Sequence, residues 1–143
     1  MCGLAQGDII KKLPFTFYDE NGDKNTIITR GLILSNTCDI DNDFHIIIAP
    51  IISNISLNND QVSSMKSNRF FDKMCFTNSQ LDEYFVDFTR ATTFNRNLIS
   101  KLLETKTNVE FSLNQYGYYL LLIKLTVYFM RPEDIETNEM RNE

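Results

Sequence analysis

The sequence predicts a mainly β, α+β domain: a small β-barrel with a C-terminal helix and one or two shorter helices. Three observations carry this expectation. Through the first two thirds of the chain, apolar runs rich in β-branched and aromatic residues recur between clusters of turn formers. Two of those runs, within Thr29 to Ser53, flank a polar turn that holds most of the reactive groups. The last third instead places apolar residues at helical spacing.

With 143 residues, 43% of them apolar, the chain suits one domain with an ordinary core. We expect a single domain over residues 1–131 and an acidic, disordered tail over 132–143. No N-terminal run has the basic start, apolar centre and small-residue cleavage site of a signal peptide, which predicts a cytoplasmic protein. Cys2, Cys38 and Cys75 are odd in number and widely spaced, so reduced thiols are expected rather than a disulfide framework. The net charge of −5 is unevenly placed: Glu133, Asp134, Glu136, Glu139 and Glu143 against Arg141 give the tail −4, leaving about −1 for the body. A local basic cleft is compatible with that body, whereas a strong global field is not.

In chain order, Gly7 to Tyr18 and Thr26 to Leu34 read as an antiparallel pair of strands. The segment between them, Asp19 to Asn25, is dense in turn formers, and Asn21-Gly22 supplies the positive φ of a tight hairpin. Pro14 suits an edge or a bulge, because it cannot donate to a ladder. Phe44 to Ile52 is apolar on both faces, as a buried barrel strand would be. Ser53 to Asn68 is polar and reads as a loop that leaves room for a helical turn. Arg69 to Phe76 and Glu83 to Thr93 read as further strands, joined by a short helix started at Thr77-Asn-Ser-Gln80. Leu98, Ile99, Leu102 and Leu103 predict a helix over Asn95 to Glu104. A capping box at Ser112-Leu-Asn-Gln115 opens the last helix, which Pro132 stops beyond Met130. Its apolar run, Tyr116 to Met130, is too short to span a membrane and predicts core packing or a dimer seam.

Several constellations invite chemistry. Asp39, Asp41 and Asp43 alternate as in an EF-hand loop, but Phe44 replaces its glycine and Pro50 its bidentate glutamate, which excludes calcium by that route. Cys38, Asp39, His45 and Cys75 have the atom types of a zinc site without a CxxC, and His45 is the only histidine. Cys38 and His45 would make a nucleophile and base only if they converged across one hairpin. Cys2 opens a three-residue likeness to class II glutamine amidotransferases, in a chain too short for that domain. We therefore expect no metal and no cofactor. Arg69, Arg90, Arg96 and Lys101 among Phe70, Phe71, Phe85 and Phe94 mix charge with stacking surfaces, as single-strand nucleic-acid binders do, although aromatics in a barrel more often fill the core.

Landmarks in order add to this. Gly7-Asp-Ile, then Gly31-Leu-Ile-Leu-Ser-Asn36, then Ile46-Ile-Ile-Ala-Pro-Ile-Ile-Ser53, then Asp87-Phe-Thr-Arg90 before a helix resemble the successive motifs of the MazF/PemK toxin family over about residues 7–103. The resemblance implies an SH3-like barrel, usually a homodimer, that cleaves single-stranded RNA without a metal and is neutralised by an antitoxin. The family's arginine position falls on Thr29, with Arg30 one residue later, and its threonine position on Ile52, with Ser53 next. Strand alternation then turns Arg30 to the face opposite Thr29. The expectations are catalytic roles for Arg30 and Ser53, with Ser35, Asn36, Thr37, Cys38, Asp39 and Arg90 near the substrate. The alternative is a barrel without catalysis that binds protein or nucleic acid.

Overall fold

The structure is a computed structural model that describes residues 3–105, 109–131 and 139–141. Most of the predicted tail, and Cys2, lie outside the described residues. Strand β1 (Asp8–Tyr18) and strand β2 (Lys24–Ile33) form the predicted hairpin. Gly22, at φ +80°, takes the left-handed position of its turn, while Asn21 does not share it. The Asp19 carboxylate accepts from the Asn21 and Asp23 amides and from Asn25 Nδ2. Those bonds, first the one from Asp23, hold its pKa below the ordinary value.

Helix α1 (Thr37–Asn42) follows, where the sequence reading expects an open turn. Strand β3 (His45–Ser53) then runs through the middle of the sheet. One edge of β3 pairs with β2 at residues 48–50. The other edge pairs first with strand β4 (Tyr84–Asp87) and then with strand β5 (Thr92–Asn95), which are separated by a 3-10 turn, Phe88–Arg90. The predicted strand from Glu83 to Thr93 is thus one strand line broken in its middle. Ahead of it, only Lys73–Cys75 of the predicted Arg69–Phe76 strand pairs, with β4.

The polar stretch after Ser53 contains a two-turn helix, α2 (Asn59–Lys66), with a reciprocal capping box between Asn58 and Gln61. No helix starts at Thr77: Asn78 accepts from the Gln80 amide and its carbonyl from Leu81 N, which closes a turn instead. Helix α3 (Arg96–Thr105) lies as expected. Strand β6 (Val109–Ser112) pairs with β1 and was not predicted. Ser112 is therefore a strand residue, and the cap of helix α4 (Gln115–Met130) is Asn114, which accepts from Gly117 N.

Counting the short Lys73–Cys75 strand, seven antiparallel strands form one mixed α+β layer system. The sheet is not closed by hydrogen bonds among the described residues. Both faces are buried. Ile10, Leu13, Phe15, Ile33, Ile46, Ile48 and Phe94 pack on one side with Ile40 of α1 and Ile99 of α3. Ile9, Leu32, Ala49, Ile51 and Val86 pack on the other with Leu121 of α4. No helix among the described residues is long and apolar enough to cross a membrane.

Candidate functional site

Along β2 the side chains alternate without interruption, so Thr29 and Gly31 face the Leu13–Phe15 core and Arg30 faces the α4 side with Leu32. Thr29 Oγ1 donates to the Ile51 carbonyl at 2.7 Å. Arg30 reaches a cleft of about 400 Å3 that it lines with Lys11, Lys12, Ile28, Thr29, Tyr84 and Glu110.

Two irregularities build that cleft. In β1, Ile10 pairs with Gly31 and Leu13 with Thr29, so both Lys11 and Lys12 stand opposite the single residue Arg30. Lys12 has φ +56°, a left-handed conformation that a lysine adopts only when its surroundings impose it. In β6, Phe111 pairs with Ile9 and Val109 with Ile10, which leaves Glu110 as the extra residue of a second bulge. Its carboxylate meets Arg30 with two bonds, Nε to Oε2 at 2.8 Å and Nη2 to Oε1 at 3.2 Å. The pair is partly solvent-exposed, 29% for the arginine side chain and 19% for the glutamate. The Tyr84 ring lies 5.3 Å from the guanidinium carbon, and Tyr84 is also the register partner of Ser53. Ser53 itself does not line the cleft. Ser53 Oγ accepts from Ile55 N at 3.3 Å, and its hydroxyl proton is left to donate elsewhere.

Neither a family model nor a curated protein significantly matches this chain.

Ser35, Asn36 and Asp39 line a different cleft, with Asp43, Phe44, His45, Ile47 and Thr93. It shares no residue with that of Arg30. Most of the polar groups in this stretch have structural partners: Ser35 Oγ accepts from Ile47 N, Asn36 Oδ1 from Cys38 N as the cap of α1, and Thr37 Oγ1 from Gln6 N. Cys38 is exposed and does not line the His45 cleft. Among the described residues no three of His, Cys, Asp and Glu gather as metal ligands. Arg90 lines a third cleft with Phe17, Tyr18, Asp19 and Glu20. Its guanidinium stacks 4.2 Å over the Phe17 ring and pairs with Asp87 at 3.6 Å. Of the residues named from the sequence, Arg30 alone lines this cleft; Ser53 stands beside it only as the strand partner of Tyr84, and the others lie elsewhere.

Sequence reasoning missed Lys11, Lys12, Tyr84 and Glu110. The one local signal was a lysine pair inside an otherwise apolar strand. Cys75 lies on the α4 side of the sheet, where burial pushes its thiol pKa up despite Lys66 and Lys124.

Proposed function

We propose that this chain is a MazF/PemK-like protein of toxin–antitoxin or phage-defence type that acts on single-stranded RNA at the Lys11–Lys12–Arg30–Tyr84 cleft. One observation carries this reading: in a chain of net charge −5, two bulges place three cations and an aromatic ring around one opening. Cations neutralise the backbone phosphates and an aromatic ring stacks a base, the two elements of single-strand binding. An SH3-like barrel is supported by Phe15 of β1 and Phe94 of β5, whose rings meet edge-on at 5.2 Å across strands that share no ladder. Side chains there join what hydrogen bonds leave open.

In the proposed reaction, the 2′-hydroxyl loses its proton to water as its oxygen bonds to the adjacent phosphorus, and the bond to the 5′-oxygen breaks, that oxygen taking a proton from water. Negative charge grows on the non-bridging oxygens, where Arg30 and the Ser53 hydroxyl donate. Binding without cleavage is the second reading. It is favoured by one fact, that Nε and Nη2 of Arg30 already serve Glu110. Expression of the wild type beside Arg30→Ala and Ser53→Ala, with RNA ends mapped, separates the two. Cleavage that both variants reduce at least tenfold supports the nuclease. Wild-type protein that binds RNA and leaves it intact supports the second reading, and intact RNA with no binding removes both.

We also propose a homodimer seated on α4. Tyr116, Tyr119, Ile123, Val127 and Met130 are 71%, 54%, 61%, 43% and 76% exposed, at spacings of three and four. Such spacing suits the seam of a helix pair, and the one charged residue of the helix, Lys124, is buried on the other side.

A further inference from the structure

The RNA-binding reading leaves unexplained why a carboxylate sits in a cleft built for an anion. The paired N–H groups of Arg30 meet the two oxygens of Glu110 in the fork geometry that an arginine also offers to two phosphate oxygens. We propose that Glu110 is a built-in occupant of the phosphate position, and that an incoming RNA phosphodiester displaces it from Arg30. This inference rests on the RNA reading above and names the regulation of that site.

The surrounding geometry fits a contact made to be exchanged. Glu110 is the unpaired residue of a bulge in a four-residue strand, and that strand pairs only with β1 among the described residues. Its side chain can leave without breaking a ladder bond of its own register. The ion pair is reached by solvent, so water compensates much of its loss. The Tyr84 ring beside the guanidinium holds Arg30 in place by cation–π contact once the carboxylate has gone. Lys11 and Lys12, opposite Arg30, keep the opening positive while Glu110 is still bound. Loss of the carboxylate raises the local balance from two positive charges to three, which favours the phosphate that replaces it. The strained Lys12 is the cost of that arrangement, since an unbulged strand would turn one of the two lysines to the core.

The test measures binding of a labelled single-stranded oligoribonucleotide, and separately of inorganic phosphate, to the wild type and to Glu110→Gln, Arg30→Ala/Glu110→Gln and Lys11→Ala/Lys12→Ala variants. Glu110→Gln is expected to bind both probes about tenfold more tightly. Its RNA affinity should also fall more steeply with salt, by about 0.7 in the log–log slope, because the wild type gives up the Glu110 ion pair to make the Arg30–phosphate contact and the variant gives up none. Both gains are expected to vanish in Arg30→Ala/Glu110→Gln. Glu110→Asp, which keeps the charge and shortens its reach, is expected between wild type and Glu110→Gln, and serves alone if the glutamine variant does not fold. Wild-type affinity for both probes in the folded Glu110 variants overturns the proposal. If Lys11→Ala/Lys12→Ala still weakens RNA binding in that case, the RNA reading survives without it. A gain for phosphate when no variant binds RNA keeps the displacement and removes the RNA reading.

Discussion

Gly31 is the glycine with the least room. A Cβ there would stand 2.5 Å from Ile48 Cγ2 and 2.9 Å from both Leu13 Cδ1 and Phe15 Cζ. All three belong to fully or nearly fully buried side chains, so none can swing away into solvent. Gly31→Ala is expected to lower the unfolding free energy by about 1–3 kcal/mol through overpacking, read as a lower urea midpoint with an unchanged slope. The same position sets the site, because the strand that brings Gly31 onto the core turns Arg30 to the other face. That opposition was legible from alternation alone. What stands around Arg30 was not. Lys11 and Lys12 join it only because Lys12 takes a positive φ, and Glu110 arrives from 80 residues away in sequence. Neither a backbone outlier nor a contact at that distance leaves a periodic trace in one sequence. The polar run Ser35 to Asp39 misled for the opposite reason, since helix caps and turns use the same residue types as binding sites do.

At the scale of elements, long runs with one period were legible and short ones were not. β1, β2, β3, α3 and α4 fall near their expected bounds, whereas β6 spans four residues and its hydrophobic alternation is too brief to show. α2 hid among Asn, Asp and Ser, which favour turns until a capping box and packing select the helix. Its Met65 is 1% exposed and supplies that packing. α4 is fastened in a way its apolar sequence conceals. Lys124, 6% exposed, donates from Nζ to the Phe70 carbonyl at 2.7 Å and the Asn68 carbonyl at 3.3 Å, the latter residue itself at φ +57°. Burial lowers its pKa below 10.5, with Cys75 and Asp72 opposing the shift. Lys124→Met is expected to destabilise the fold by about 1–3 kcal/mol by leaving those carbonyls unbonded. The sign with pH follows from the lowered value: between the folded pKa and 10.5 the unfolded chain holds a proton that the folded chain has released. Stability from this group therefore rises as pH climbs through that window. The difference in unfolding free energy between wild type and Lys124→Met, measured from neutral pH to about 10.5, should widen. A difference that narrows contradicts the assignment.

For the whole molecule, the two faces of the sheet are covered unequally. α1 and α3 close one side over Ile40 and Ile99, while α4 covers the other and turns a second apolar face outward. The five exposed residues of that face offer on the order of 600 Å2 per copy, taking about 200 Å2 for each large side chain, which approaches the ~800 Å2 per partner of a standard interface. With no charge on the stripe, a second copy of the same stripe complements it better than a charged partner would. Lysines at Tyr119 and Ile123 would face their own counterparts across a two-fold axis, where burial of like charges is unfavourable. The double variant Tyr119→Lys/Ile123→Lys is expected to sediment as a monomer at concentrations where the wild type is a dimer, with the same far-ultraviolet circular dichroism. The Arg30 cleft is lined by residues of β1, β2, β4 and β6 and by none of α4, so the monomeric variant should keep its affinity for the oligoribonucleotide within about twofold. A monomeric wild type would overturn the homodimer, and a variant that remains dimeric would place the seam elsewhere. Loss of RNA affinity together with the dimer would show instead that the cleft is completed by the second copy.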